Sequence, residues 1–441
     1  MSHEASLKNH PKELWILSIT ELCERFAFWG VGNLLVLFLI EYYQFPNAKA
    51  THIYGIFAGC STFLPLVGGY LADRWNYQAP MLLGAIVNAI GCFMLATGEF
   101  HLLYPALFVI AMGYGIFTPS ILTTLGYTYR NKSSLREAGF SIYYASINIG
   151  VFLAMLSLGS IATYYSWNLA FFVAGVVQLI GLCPLFFYFY RYKGTSKGLK
   201  QHQAAIRSEK KALTKGDKDR LVVIGIFFFF SIIFWTAYVQ AYSSMSIFIH
   251  SFMNRMVGGI ELPEGVFLSS ESFFLILLAP VLAILYAKLQ RKKMDPSPAT
   301  KTGLSLLFLA ACFSVMVLAC LSIPANATSA SVSSAPLIGA YFLMAVGEML
   351  LAPIGLSMVS NLAPARFTAM LIGGWYLCVG LAYYLGGLLA GLMSNVGGLE
   401  NFFSIFVVMT FFPGLLFLFF ARRITKMSHR EPVVERPNLP K

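Results

Sequence analysis

Twelve apolar stretches recur along the 441-residue chain, each close to the roughly 20 residues that an α-helix needs to cross a bilayer. They run over about 14–40, 52–72, 79–98, 102–128, 137–163 and 168–190, then 221–249, 265–288, 301–323, 336–360, 366–392 and 400–421. Segments this long and apolar must satisfy their backbone polar groups internally, and a helix does so within one segment. Only 11% of residues are charged, against roughly 25% in soluble domains, which excludes an ordinary water-soluble enzyme. The polar stretch 191–220 divides the spans six and six. The expectation is an all-α integral membrane protein of 12 transmembrane helices in two six-helix bundles. Its parts are an N-terminal bundle (1–190), a basic linker (191–220), a C-terminal bundle (221–424) and a tail (425–441).

Lysine and arginine fix an expected orientation. With a cytoplasmic N-terminus, 28 of the 31 Lys and Arg fall on inward segments; only Lys49 and Arg255 face outward, and Arg25 lies inside a span. By the positive-inside rule both termini are cytoplasmic. The formal charge of +12 therefore points to lipid headgroups rather than nucleic acid, because the basic residues sit between apolar spans. Met1–Lys12 is polar and mixed in charge and predicts no cleavable signal. Asn326-Ala327-Thr328 fits a glycosylation pattern on an outward loop, one that a bacterial host would leave unused.

The seven cysteines all fall within apolar stretches without metal or disulfide spacing, and read as small core residues. The histidines His3, His10, His52, His101, His202, His250 and His429 lie in tails, loops or span ends. With no nucleophile or metal set beside the deep acids, no enzyme and no cofactor is expected. No P-loop occurs, so the driving force is an ion gradient.

The informative residues are the ionisable ones deep in the spans: Glu21, Glu24, Arg25, Glu271 and Glu348. At about 2.5–3.5 kcal/mol each on the insertion scale, five facing lipid cost on the order of 15 kcal/mol. They must line a polar cavity, pair, or be neutralised. Glu21, Glu24 and Arg25 share one helix face by their three- and four-residue spacing, and Phe28 continues it. Burial favours a protonated glutamate while a neighbouring arginine favours its carboxylate. The trio therefore reads either as a proton switch or as a pair that locks helix packing.

The run Glu21-Leu22-Cys23-Glu24-Arg25-Phe26-Ala27-Phe28-Trp29 resembles the first-helix signature of the proton-dependent oligopeptide transporter (POT/PTR) family, Glu-x-x-Glu-Arg-Phe-x-Tyr-Tyr. Further likenesses follow in order. Gly68-Gly69-Tyr70-Leu71-Ala72-Asp73-Arg74 resembles the family's form of the major facilitator superfamily loop motif. Tyr143-Tyr144-Ala145-Ser146-Ile147-Asn148-Ile149-Gly150 is similar to the fifth-helix signature, and Phe234-Trp235 with Gln240 to helix seven. Glu348 with Pro353, Gly355, Leu356 and Ser357 resembles helix ten. Ala363-Pro364 and Gly374-Trp375 then resemble the start of helix eleven. The resemblance implies a major facilitator fold with a midplane site open alternately to each side, and proton-coupled symport of di- and tripeptides across the cytoplasmic membrane.

It also implies roles. Arg25 would bind the substrate carboxylate in competition with Glu21 and Glu24, coupling proton uptake to binding. Glu348 and Asn148 would receive the peptide amine, although a membrane asparagine also serves as an interhelical hydrogen bonder. Trp235 and Trp375 would border the pocket or simply pack, and Asp73 and Arg74 would gate its cytoplasmic side or form a solvated helix end.

Departures from the family pattern carry a second expectation. Thr118 stands where helix four usually has a lysine, Phe28 and Trp29 replace two tyrosines, and Phe63 replaces a third. Arg25 is then the only expected group at the carboxylate pole. Glu271 stands at an amine-facing asparagine, and Val239 at a frequent acid. A strengthened amine pole and a weakened carboxylate pole fit either ordinary peptides or cationic amines lacking a free carboxylate. A sensor that binds without transporting is a third reading. Many bacterial members carry two additional helices between the halves; only the polar linker is present here.

Overall fold

A computed structural model describes residues 10–74, 78–129, 133–191, 215–292, 294–324, 329–363 and 368–428. The glycosylation pattern at Asn326 and most of the linker, residues 192–214, lie outside these. The N-terminal half contains α1 (Lys12–Glu41), α2 (Asn47–Arg74), α3 (Gln78–Ala96), α4 (Phe100–Thr128), α5 (Ser133–Tyr164) and a last span split into α6 (Trp167–Ile180) and α7 (Leu182–Arg191). The C-terminal half contains α8 (Lys215–Tyr238), a 3-10 turn (Val239–Tyr242), α9 (Ser244–Phe252), α10 (Glu264–Arg291), α11 (Pro298–Cys320), α12 (Ala335–Leu362), α13 (Thr368–Ala390) and α14 (Leu399–Met427). With α6 and α7 joined, and α8, the 3-10 turn and α9 joined, the described residues form twelve spans long and apolar enough to cross a membrane. Each matches a predicted span, with ends shifted by a few residues.

Local chemistry explains several boundaries. The Ser166 hydroxyl accepts the Leu169 amide at 3.1 Å and starts α6. Ser297 accepts the Thr300 amide at 3.2 Å with Pro298 behind it, starting α11; both are the usual N-terminal caps. Pro65, Pro119, Pro280, Pro353 and Pro413 lie inside helices, where neighbouring spans compensate for the lost hydrogen bonds. Two features were not predicted. The seventh span is not one helix, because it tightens into a 3-10 turn at Val239–Tyr242. The loop after it holds a two-stranded hairpin, β1 (Met256–Val257) and β2 (Ile260–Glu261), turned by Gly258 and Gly259 at φ of 58° and 86°. Positive φ at both central residues is what a tight hairpin turn requires.

Within the halves, α1 packs on α5 and α6, α3 on α4 and α6, and α2 on α4; α11 packs on α12 and α14, α10 on α12, and α8 on α13 and α14. From Thr20 to Leu39 α1 is buried almost all round, with Glu21, Ala27 and Leu35 inaccessible, whereas Trp15 and Ile19 nearer its start are exposed. α14 instead presents Phe412, Leu416 and Phe419 outward. The halves meet along two seams, α2 on α13 and α5 on α10. At the end remote from the chain termini both seams are glycine on glycine. A Cβ built on Gly265 comes within 2.3 Å of the Met155 carbonyl oxygen and 2.8 Å of the Gly159 Cα, and one built on Gly387 within 2.4 Å of the Gly55 Cα. Only glycine lets the backbones approach this closely.

Candidate functional site

Two polar clusters sit inside the apolar bundle, one in each half. The first is built on α1. The Arg25 Nε donates to Glu21 Oε1 at 2.7 Å, Arg25 Nη2 lies 2.6 Å from the same oxygen, and Nε lies 3.5 Å from Glu24 Oε2. Glu21 and Glu24 are wholly inaccessible and Arg25 nearly so. Asn88 of α3 donates to Glu24 Oε1 at 3.4 Å. Glu21 Oε2 and Glu24 Oε2 are buried without a hydrogen bond. The shared helix face read from the spacing is therefore present, and one guanidinium serves two carboxylates.

Arg25 has more company than the sequence reading allowed. Its Cζ lies 4.9 Å from the ring centroid of Tyr114 on α4, and Tyr114 stacks on Phe28 with centroids 3.9 Å apart. Tyr143 of α5 and Tyr376 of α13 also lie within electrostatic reach of Arg25. The expectation that Arg25 stands alone at this pole is thus corrected. Tyr114, Tyr143 and Tyr376 come to Arg25 from other helices, which no reading of helix one alone reveals. Thr118 follows Tyr114 by one turn of α4, its hydroxyl buried without a partner.

The second cluster joins α10, α12 and the end of α8. The Tyr238 hydroxyl lies 2.9 Å from Glu271 Oε1 and 2.7 Å from Glu348 Oε2. The Tyr242 hydroxyl donates to Glu271 Oε2 at 2.8 Å. The 3-10 turn separating α8 from α9 brings both tyrosines onto Glu271. Tyr144 of α5 reaches Glu348 and Asn148, and Asn148 Nδ2 also donates to the Tyr144 carbonyl at 3.1 Å. Glu271, Glu348 and Asn148 are thereby brought together from three helices.

A row of rings connects the clusters. From Arg25 it passes through Tyr114 to Trp29 (6.3 Å between centroids), Tyr383 (6.5 Å), Trp235 (6.2 Å) and Tyr238 (5.1 Å). The Trp235 indole nitrogen is buried without a partner. Other expected residues lie outside the two polar clusters. Gln240 is fully engaged: its amide donates to the Thr236 and Gly386 carbonyls at 3.2 and 2.9 Å, and its oxygen accepts from Ser243 and Ser244 at 3.3 and 2.8 Å. It ties the 3-10 turn to α13. Trp375 packs against Gly355 of α12 and Phe228 of α8. Phe63 is 43% exposed on α2. Asp73 and Arg74 end α2, and their side chains lie outside the described residues.

A third cluster was not anticipated. His250 Nδ1 lies 3.2 Å from Glu41 Oε1 and 3.4 Å from Glu264 Oε1. Arg255 pairs with Glu264, and with Glu261 at 2.6 Å. The Trp167 indole donates to Glu41 Oε2 at 3.1 Å. These residues link the end of α1 to α9 and α10 at the glycine-sealed end of the bundle. By sequence His250 is a span-end residue away from the deep acids. Its partners come from distant parts of the chain, and the hairpin turns Arg255 back onto Glu261.

Comparison with known proteins agrees with this arrangement. The POT family model matches residues 80–200 and 190–406. The chain is 30% identical to peptide transporter YePEPT of Yersinia enterocolitica, covering 88% of each chain. It is 24% identical to dipeptide and tripeptide permease A of Escherichia coli, covering 87% of this chain and 85% of that one. A crystal structure of a peptide transporter POT variant in complex with alafosfalin superposes with a TM-score of 0.84 at 25% identity, over 96% of this chain and 97% of the other. Twelve spans in two bundles, two opposed polar clusters and a family match over most of the chain lead to one conclusion: this chain belongs to the POT family of the major facilitator superfamily.

Proposed function

We propose that the chain is a proton-coupled symporter that takes up di- and tripeptides by alternating access across a bacterial cytoplasmic membrane, driven by the proton gradient without a cofactor. The observation carrying this reading is the row of rings, with Arg25, the one buried Lys or Arg among the described residues, at one end and the acids Glu271 and Glu348 at the other. A free peptide is an anion and an ammonium separated by apolar or variable side chains. Such a solute matches a site with a cationic pole, an anionic pole and aromatic walls between them. Relatives named for peptide transport support the same reading.

In this reading Glu21 and Glu24 hold the coupling proton. With both ionised, Arg25 is neutralised within its own helix; protonation of one glutamate frees guanidinium donors for a carboxylate. Tyr114, stacked between Phe28 and Arg25, fixes where those donors point. Trp29, Trp235 and Tyr383 contact substrate side chains, and Asn148 and Glu348 take the amine. Phe63, Thr118 and Trp375 border the pocket, while Gln240 shapes the turn beneath it. Asp73 and Arg74 gate the cytoplasmic side. Both termini face the cytoplasm, residues 1–190 and 221–424 form the two moving bundles, 191–220 links them, and 425–441 is the tail. The end sealed by Gly159, Gly265, Gly55 and Gly387 is then the outer side, with the His250 cluster as its latch.

Uptake of a labelled dipeptide into proteoliposomes under an imposed inward acid gradient tests this. Accumulation above equilibrium is expected, lost in Glu21→Gln and Glu24→Gln with exchange preserved. Competition among free dipeptides, dipeptide amides and polyamines identifies the cargo; selective block by polyamines or amides overturns peptide uptake. Dipeptide binding with neither accumulation nor counterflow would mark a sensor instead.

A further inference from the structure

The Tyr238 hydroxyl sits between two buried carboxyl groups, 2.9 Å from Glu271 Oε1 and 2.7 Å from Glu348 Oε2. A phenol carries one proton to donate. It serves one acid, and the second short contact needs a proton on the other acid, since two bare acceptors at that separation repel. The remaining partners say which acid is protonated. Glu271 Oε2 accepts from Tyr242 at 2.8 Å and from Ser272 at 3.3 Å. With Tyr238 on Oε1, both oxygens of Glu271 are supplied with donors, as suits a carboxylate. Glu348 is then the acid that donates, through Oε2 to the Tyr238 oxygen, which in turn donates to Glu271.

The surroundings agree. The polar groups facing the pair are Tyr144 and Asn148 from α5, Tyr238 and Tyr242 from the seventh span, Ser272 from α10, Tyr341 from α12 and Tyr383 from α13. Among the described residues neither acid has an ion-pair partner. Two adjacent ionised acids without a cation, in a low-dielectric interior, are strongly disfavoured.

We propose that Glu348, Tyr238 and Glu271 form a second proton-holding unit, separate from Glu21 and Glu24, in which Glu348 carries a proton in the empty transporter and releases it when a substrate ammonium arrives. The exchange balances: the Glu348 carboxyl O–H breaks, its proton leaves to water on the open side, and the carboxylate pairs with the incoming ammonium. Charge inside the site is unchanged, and Glu271 stays ionised to hold the Tyr238 hydroxyl in place. Proton and amine therefore compete at this pole, while proton and carboxylate binding cooperate at the Arg25 pole. The ammonium exchange rests on the peptide reading; the resident proton does not.

The test is infrared spectroscopy of the purified full-length transporter, following the carbonyl stretch of protonated carboxyl groups, with calorimetry for binding and an indicator dye for released protons. At neutral pH one component of that band should vanish in Glu348→Gln. In Glu271→Gln, which removes the neighbouring charge, it should titrate away at lower pH than in the wild type. A band unchanged in Glu348→Gln overturns the resident proton, and an unshifted titration in Glu271→Gln overturns the coupling; retained thermal stability shows that each variant is folded. Binding of dialanine should abolish the component and release about one proton more per site than binding of the N-acetylated dipeptide, which shares the carboxylate and should leave the component intact. Dialanine binding that leaves the component intact overturns the exchange. If dialanine does not bind, the peptide reading fails while the variant spectra still decide the proton.

Discussion

Gly265→Ala is the substitution with the clearest structural consequence. The added methyl falls 2.3 Å from the Met155 carbonyl oxygen and 2.8 Å from the Gly159 Cα, where a Cβ contact normally needs more than 3.4 Å. All of the opposing atoms belong to the backbone of α5, so no side chain can rotate away. The helices must separate by about an ångström, at a cost of roughly 1–3 kcal/mol for overpacking a tight contact. The penalty applies only where α5 and α10 touch, in the conformation sealed at this end. The equilibrium should therefore shift about 5- to 150-fold toward the conformation open there. Two spin labels, one near the glycine-sealed end of α5 and one near that of α10, would read the shift as growth of a long-distance population. Dipeptide uptake should slow, because return through the state closed at this end is hindered, while dipeptide affinity measured from the side that this end opens to is retained. Gly387→Ala, on the independent α2–α13 seam, should act in the same direction. An unchanged distance distribution in both variants would refute the glycine seams as the closure device.

Tyr114→Leu removes both the ring beneath Arg25 and the stack on Phe28; a cation–π contact is worth about 0.5–2 kcal/mol, so affinity for free dipeptides should fall about 2- to 30-fold while affinity for dipeptide amides changes less, as competition binding will show. His250→Ala cuts the bridge from Glu41 to Glu264; since His250 is about one-third exposed, a modest effect is expected, roughly 2- to 5-fold greater labelling, by a water-soluble thiol reagent, of a cysteine placed at Thr51. Gln240→Leu removes the amide donor from the Thr236 and Gly386 carbonyls and the acceptor used by Ser244, at about 0.5–1.5 kcal/mol for each bond lost, and should lower the melting temperature in detergent; unchanged stability would mean that water replaces the amide. Glu24→Gln keeps the size of the side chain and removes its titration, so uptake should lose its dependence on the acid gradient; persistent gradient-driven accumulation in this variant would move the coupling proton elsewhere.

The architecture and much of the candidate site were legible in the chain itself, for a physical reason. A bilayer admits one solution to a run of some twenty apolar residues, so twelve runs prescribe twelve helices. The cost of burying charge then marks Glu21, Glu24, Arg25, Glu271 and Glu348 without any knowledge of their neighbours. The three- and four-residue spacing on α1 even fixes which of them share a face. What this local reasoning misses are contacts made across helices. Tyr114, Tyr238, Tyr242 and Tyr383 are four of 23 tyrosines, and nothing in their immediate sequence separates a ring beside a buried ion from one facing lipid. Gln240 carries a recognisable motif position, yet only its four partners show that it is spent on the 3-10 turn. Glu41, His250 and Glu264 are ordinary span-end residues until α1, α9 and α10 converge. Likewise Gly159 and Gly265 are unremarkable small residues until their backbones meet. Side-chain chemistry and hydrophobic length are properties of the sequence, whereas pairing, proton sharing and closure depend on which distant segments pack together, and the tertiary structure alone decides that.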